Sequence, residues 1–157
     1  MLARTRDVDP NVRKLVYSSV LEPHCTVAMD AEGNPEAVGP THPRVFSIEQ
    51  RELVVRNGLG DREEAIKTAA TKLVSTWVDV VREGTTEGDA KSVEADIIAF
   101  LELFDLVENS TAEDALASVF KSRNDILDRL EFNGKCYSIV HFVCSCPRRC
   151  FLGIADR

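Results

Sequence analysis

The residues best suited to nucleophilic chemistry are His24 and Cys25, which are adjacent, with His42 in the same proline-rich stretch. An imidazole can activate a thiol when the two side chains lie within hydrogen-bond reach and a third group orients the base. The sequence contains no pattern for that third group or for a turn that would stabilise an oxyanion. We therefore interpret these residues as surface-loop residues and expect no enzyme activity and no small-molecule substrate.

A second possible site lies near the C-terminus, where His141, Cys144, Cys146 and Cys150 could supply zinc ligands. The Cys-x-Cys spacing is tighter than that of the usual zinc finger, and there is no second pair of ligands. We expect unpaired thiols here, with no metal and no cofactor. Gly58-Leu59-Gly60-Asp61 lies between predicted helices and lacks the strand and lysine of a phosphate-binding loop.

The overall charge limits the partners. Acidic residues outnumber basic ones by 26 to 19, for a net charge of −7. Such a chain does not attract DNA as a whole, so any contact with phosphates needs a local basic face. No apolar run is long enough for a membrane helix, so we expect no membrane association. The absence of a signal-peptide pattern and the odd cysteine count predict an intracellular chain without a disulfide framework.

The elements before Phe132 are predicted to be helices. Asp7, Asp9 and Pro10 are typical of a helix start, and Pro23 should end that helix near Glu22. The segment from 23 to 44 contains four prolines and is predicted to be a flexible surface loop without regular structure.

Ser47 and Gln50 form a capping box for a helix to about Asn57, after which Gly58 is predicted to be a left-handed C-terminal residue. Asp61 then caps a helix with a broad apolar face, which ends near Val81. A polar linker spans 83–91. Apolar spacing predicts a further helix over 93–104, and a third capping box at Ser110 starts the last one. The predicted fold class is all-α, with a helical segment over 1–132 and a cysteine-rich tail over 133–157 that is non-native or disordered.

Two of these helix starts resemble each other. Asp7 precedes Arg13 by six positions, and Asp61 precedes Lys67 by six, each in register with an aliphatic residue. In stacked helical hairpins such an aspartate caps its helix, and the base inside the helix reaches the aspartate of the next repeat. We therefore predict a ladder of Asp7, Arg13, Asp61 and Lys67 within a HEAT or armadillo-like solenoid, of which this chain is a fragment.

Several segments in order resemble one family. The family is that of the HEAT-repeat subunit of condensin, the CAP-G type or subunit 3. The segments that resemble it are residues 4–8 and 12–17, Ser-Ile-Glu-Gln-Arg at 47–51, Gly-Leu-Gly-Asp-Arg at 58–62, Trp77, and Val-Glu-Asn-Ser at 107–110. The resemblance covers about residues 3–132, and the long proline-rich segment is more typical of fungal members. It stops after Asn133, and the family subunit is far longer than this chain.

The resemblance implies a non-catalytic regulatory subunit that acts in mitotic chromosome condensation. Its implied partners are a kleisin, the other condensin subunits and DNA, with only weak DNA binding by this fragment alone. It implies a location in the nucleus on condensed chromosomes, and in the cytoplasm for part of the cell cycle. Carried onto this sequence, it nominates Arg4, Arg6, Lys14 and Arg62 as contacts to the DNA backbone. The alternative is a generic HEAT or armadillo protein–protein adaptor with no DNA role.

Overall fold

The computed structural model describes residues 1–33, 35–83, 97, 99–105 and 110–124. The chain divides into two compact units, Met1–Phe104 and Asp105–Arg157. The predicted boundary at residue 132, the linker after Glu83 and the tail over 133–157 lie outside the described residues. Within the described part, no helix is sufficiently long and apolar to cross a bilayer.

The first unit begins with a 3₁₀ turn over Leu2–Arg6, followed by helix α1 over Pro10–Leu15. Asp9 caps α1 by accepting a 2.8 Å hydrogen bond from the Asn11 N–H, as its position predicts. The helix continues as a π-helical stretch over Val16–Leu21 and closes with a 3₁₀ turn over Glu22–His24. Val16, Tyr17 and Leu21 form its buried face.

The proline-rich segment is not a loop without regular structure, and that prediction was wrong. Strands β1 (Val27–Met29) and β2 (Pro35–Val38) form an antiparallel hairpin in which Val27 lies opposite Val38. Pro35 is tolerated because it is the first residue of its strand. The all-α prediction therefore needs this amendment, although the described chain is otherwise built mainly of helices.

The base of the hairpin is tightly closed. The Gly39 N–H donates to the Thr26 carbonyl at 3.0 Å, and the Thr41 N–H donates to that of His24 at 3.3 Å. A Cβ on Gly39 would lie 2.1 Å from the His24 carbonyl oxygen, so only glycine fits there. Thr41 and His42 are buried, so the second half of the segment packs against the helices.

Helix α2 spans Ile48–Leu59, and the capping box predicted at its start is confirmed. The Gln50 N–H donates to the Ser47 Oγ at 3.3 Å, and the Gln50 side chain accepts from the Ser47 N–H at 3.0 Å. The prediction that Gly58 is a left-handed C-terminal cap was wrong. Gly58 lies inside the helix, which is capped by Gly60 at a φ of −89°.

Gly58 is a packing residue. A Cβ at this position would lie 2.5 Å from the Ala70 Cβ and 2.7 Å from the Tyr17 ring. The missing side chain therefore lets three helical segments approach one another. The Tyr17 hydroxyl crosses this junction and donates to the Val54 carbonyl at 2.9 Å.

Helix α3 spans Glu64–Glu83 and supplies more buried apolar residues than any other described element, as its broad apolar pattern predicts. Its buried apolar residues are Ile66, Ala70, Leu73, Val74, Trp77, Val78, Val80 and Val81. Trp77 is fully buried, and its ring centroid lies 5.9 Å from that of Phe46. Later in this unit, residues 97 and 99–101 are helical, and the rings of Phe100 and Phe104 pack at 5.3 Å.

The second unit contains helix α4, over Ser110–Lys121. Its buried residues are Ala112, Leu116, Ala117, Val119 and Phe120, which recur at helical spacing. The mainly helical class is thus observed in the described residues of both units. A continuous solenoid of repeats stays a prediction.

Gly58→Ala should destabilise the chain. In an exposed helix this change is favourable by up to about 1 kcal/mol, but here the new methyl must displace Ala70 or the Tyr17 ring, at about 1–3 kcal/mol. Urea unfolding measures the difference, with the exposed Ala65→Gly in the first turn of α3 as the propensity control, expected to cost up to about 1 kcal/mol. A stabilised Gly58→Ala chain would contradict the close packing.

His42 should make stability depend on pH. Burial and then the charge of Arg44 lower the pKa of His42, against an opposing hydrogen bond to the Val80 carbonyl. Its Nδ1 accepts from the Arg44 N–H at 3.2 Å, which requires an unprotonated nitrogen. The unfolded chain therefore binds this proton more readily, and the free energy of unfolding should fall as pH drops from about 7 through the usual histidine value of about 6.5.

The comparison is between His42→Asn and His24→Asn, each followed by urea unfolding from about pH 7 to pH 5.5, above the usual carboxylate range. We expect the first substitution to flatten the pH dependence and the second, at an exposed position, to preserve it. An unchanged slope in His42→Asn would exclude this role for the buried imidazole.

Candidate functional site

The site is a polar groove on the first unit, between the N-terminal turn, the end of α2 and the turn that leads into α3. Its volume is about 420 Å³. It is lined by Thr5, Arg6, Asp7, Arg13, Arg56, Asn57, Gly60, Asp61 and Arg62. Four of these residues are arginines and two are aspartates, so the lining carries a net positive charge in an otherwise acidic chain.

The floor of the groove is an ion pair between Arg13 and Asp61. The Arg13 Nε donates to Asp61 Oδ2 at 2.7 Å, and a terminal nitrogen donates to Oδ1 at 3.2 Å. The other terminal nitrogen donates to the Asp7 and Val8 carbonyls at 2.8 and 3.2 Å. The two side chains are only 9% and 7% exposed, respectively. One guanidinium thus joins the start of α1 to the turn before α3.

The electrostatics of the pair favour both charged forms. Burial acts to raise the pKa of Asp61, but the hydrogen bonds from Arg13 and from the Glu63 N–H outweigh it, and the pKa is lowered. The hydrogen bond to Asp61 in turn raises the pKa of Arg13 above its usual value. The Asp61 Oδ1 also accepts from the Glu63 N–H at 2.9 Å, which closes a turn just before α3. The prediction that Asp61 itself caps α3 was wrong, because the Glu63 carbonyl accepts the first helical bonds, from Ile66 and Lys67.

Three exposed cations, Arg6, Arg56 and Arg62, surround this pair. The Arg6 Nε donates to Asn57 Oδ1 at 3.1 Å, which links the N-terminal turn to α2. The Arg62 Nε lies 3.9 Å from a Glu63 carboxylate oxygen, with both side chains mostly exposed. Such exposed pairs are weak and compete poorly with a bound anion. The groove can therefore offer several guanidinium groups to a polyanion.

The structure brings some of the residues nominated from the sequence together and leaves others apart. Arg6, Asp7, Arg13, Asp61 and Arg62 all line the groove. The remaining three are Arg4, which pairs with Asp7 at 2.6 Å; Lys14, which is exposed outside the groove; and Lys67, which pairs with Glu64 of its own helix at 3.3 Å. Lys67 therefore does not repeat the cross-helix contact of Arg13 in the described part of the chain.

Sequence reasoning missed a second buried arginine, Arg51. Its Nε donates to the Leu103 carbonyl at 2.6 Å, and a terminal nitrogen donates to the Pro43 carbonyl at 2.8 Å and to the Phe46 carbonyl. Burial lowers its pKa.

Arg13 and Arg51 both occupy the fourth position after the N-cap of their helices, α1 and α2, and are 38 positions apart. An arginine at this helix position, beside an apolar face, is the sequence signal that could have predicted the burial of Arg51.

The residues considered for nucleophilic chemistry are not assembled into a site. The Cys25 Sγ–H donates to the Glu22 carbonyl at 3.0 Å, and burial raises the pKa of this thiol to about 11. The His24 Nδ1 lies 3.1 Å from the Val20 carbonyl oxygen. Cys25 and His42 are both buried, so the expectation that they are surface-loop residues was wrong, whereas His24 is exposed. Among the described residues no three potential metal ligands cluster, and the cysteine-rich tail lies outside them.

Comparison with known proteins gives three relatives of the same name. The chain is 27% identical over 133 residues to condensin complex subunit 3 of Saccharomyces cerevisiae, 31% over 134 residues to that of Schizosaccharomyces pombe, and 29% over 137 residues to that of Homo sapiens. Each alignment covers 84–87% of this chain.

The chain is a relative of condensin complex subunit 3. The resemblance seen in the sequence is thereby confirmed. The chain spans only 10–12% of the length of these proteins, so it corresponds to a segment of the condensin subunit. No family model matches the sequence, and no solved structure matches it.

Arg13→Met should lower stability more than Arg4→Met. The first change leaves the Asp61 carboxylate buried without its counter-charge, whereas Arg4 is 70% exposed in its pair with Asp7. Urea midpoints measure both variants. Adding Asp61→Asn to Arg13→Met should restore part of the stability, because it removes the uncompensated charge. Equal midpoints for the two single variants, or a further decrease in the double variant, would contradict the structural role of the pair.

Proposed function

We propose that this chain is part of a non-catalytic regulatory subunit of condensin that contacts the DNA backbone through the polar groove. The proposal rests on one observation: Arg6, Arg56 and Arg62 are exposed around a groove whose two carboxylates are already paired with Arg4 and Arg13. Because the two aspartates are paired and three arginines are exposed around them, the groove suits the phosphates of a DNA backbone. Such contacts do not distinguish one base sequence from another.

The same proposal includes the partners and the location. The three relatives are named as subunits of the condensin complex. We propose that this chain likewise binds a kleisin and the other condensin subunits and acts in mitotic chromosome condensation, in the nucleus and on chromosomes, with a cytoplasmic fraction in part of the cell cycle. Helical pairs stacked side by side would present the curved surface that an extended kleisin segment requires.

The DNA role is tested on the subunit that contains this chain, assembled with its kleisin, and a short duplex DNA. Replacing Arg6, Arg56 and Arg62 with alanine should weaken binding. It should also reduce the slope of log K against log salt concentration by about 0.9 for each phosphate that the variant no longer neutralises. Fluorescence anisotropy at several salt concentrations measures both quantities.

The matched control removes the same charge from three exposed residues that do not line the groove: Arg44, Lys72 and Lys121. We expect this triple variant to retain the salt slope of the unmodified protein. If both triple variants weaken binding equally, the groove has no special role and the attraction is a general effect of net charge.

A generic HEAT or armadillo adaptor is the second function that the same helical pairs could serve. Affinity purification of the tagged subunit from mitotic cells separates the two functions. The condensin proposal predicts recovery of a kleisin together with the condensin ATPase subunits in stoichiometric amounts. Recovery of other partners without any kleisin would support the adaptor instead.

A further inference from the structure

Asn57 connects the groove to the N-terminal turn through a short chain of hydrogen bonds. Its Oδ1 accepts from the Arg6 Nε at 3.1 Å, and its Nδ2 donates to the Thr5 Oγ1 at 2.8 Å. The Thr5 hydroxyl in turn donates to the Leu2 carbonyl at 2.7 Å, and Thr5 is only 1% exposed. Asn57 lies near the end of α2, so this chain of bonds spans two elements that are far apart in sequence.

The chain of bonds determines which way the amide faces. A hydroxyl has one donor, and that of Thr5 is directed to a backbone carbonyl, so Thr5 can only accept from Asn57. The amide nitrogen must therefore face Thr5, and the amide oxygen must face Arg6. The oxygen then holds the Nε of Arg6, while the two terminal nitrogens of this guanidinium keep donors for another partner.

We propose that Asn57 is a positioning residue for the phosphate contact of Arg6. An exposed arginine normally samples many rotamers and must give up that freedom when it binds an anion. A guanidinium held at Nε has given up part of it during folding, and its terminal edge is left for two parallel bonds to phosphate oxygens. Asn57 acts through Arg6 and need not touch the DNA. This inference rests on the proposed function of the groove.

The test is a double-mutant cycle in DNA affinity, using the subunit assembled with its kleisin at fixed salt concentration. The variants are Arg6→Ala, Asn57→Ala and the combination of the two. The rotamer freedom that one long side chain loses on binding corresponds to roughly two- to tenfold in affinity, so we expect Asn57→Ala to weaken binding by about that factor. Arg6→Ala should weaken it at least as much, and the double variant should equal Arg6→Ala.

This pattern separates positioning from a general structural defect. If Asn57 only supported the local fold, its removal would weaken binding by the same factor with or without Arg6. The matched control is Asn11→Ala, because Asn11 is an exposed asparagine whose amide donates to Asp9 at 3.1 Å outside the groove. It should leave the affinity unchanged.

Each other outcome has one meaning. If Arg6→Ala weakens binding while Asn57→Ala has no effect, or has the same effect in both backgrounds, the positioning role is wrong and the DNA role stands. If neither Arg6→Ala nor the triple variant at Arg6, Arg56 and Arg62 changes the affinity, or if the assembled subunit does not bind DNA, the proposed function itself fails.

Discussion

The contact on which the rest of the described structure depends is the buried pair of Arg13 and Asp61. It joins residues 48 positions apart in the chain and fills a position where neither charge is tolerated alone. The same guanidinium also satisfies two carbonyls that precede α1. Because the Arg13 side chain contacts both the start of α1 and the turn between α2 and α3, it fixes the position of these two elements relative to each other and so the groove between them.

The pair also explains how an acidic chain can carry a cationic groove. Asp7 and Asp61 would otherwise offset the charge of the exposed arginines of the groove. Each aspartate instead accepts a hydrogen bond from another arginine, Arg4 or Arg13. Arg6, Arg56 and Arg62 are then left with little local opposition. A net charge of −7 thus excludes attraction of DNA by the whole chain without excluding it at this groove.

Local signals in the sequence predicted much of this fold. Capping at Asp9 and at Ser47, and the apolar face of α3, depend on neighbours within a turn or two and are therefore legible in sequence. Gly58 is a counterexample: local rules make a glycine after an apolar run a helix cap, whereas contacts with Tyr17 and Ala70 require it inside the helix. The hairpin was missed because its short strands pair across a turn and lie beside prolines.

The site was partly predictable for the same reason. Asp7, Arg13 and Asp61 follow from a repeated spacing, but the roles of Asn57 and Arg51 depend on contacts 52 residues away in sequence, with Thr5 and Leu103 respectively. A local pattern can mark Arg51, which shares its helix position with Arg13, but it does not encode the distant partner in either contact. The spacing shared by Asp61 and Lys67 does not produce a second cross-helix pair in the described part, because Lys67 turns towards Glu64.

The most direct test is an electron cryomicroscopy structure of the assembled condensin subunit and kleisin bound to duplex DNA, with side chains visible in this region. The account predicts phosphate oxygens within hydrogen-bond distance of Arg6 and Arg62, above an intact Arg13–Asp61 pair. A DNA path that leaves this groove in solvent, or a groove in which Arg13 has left Asp61 to bind phosphate, would contradict it.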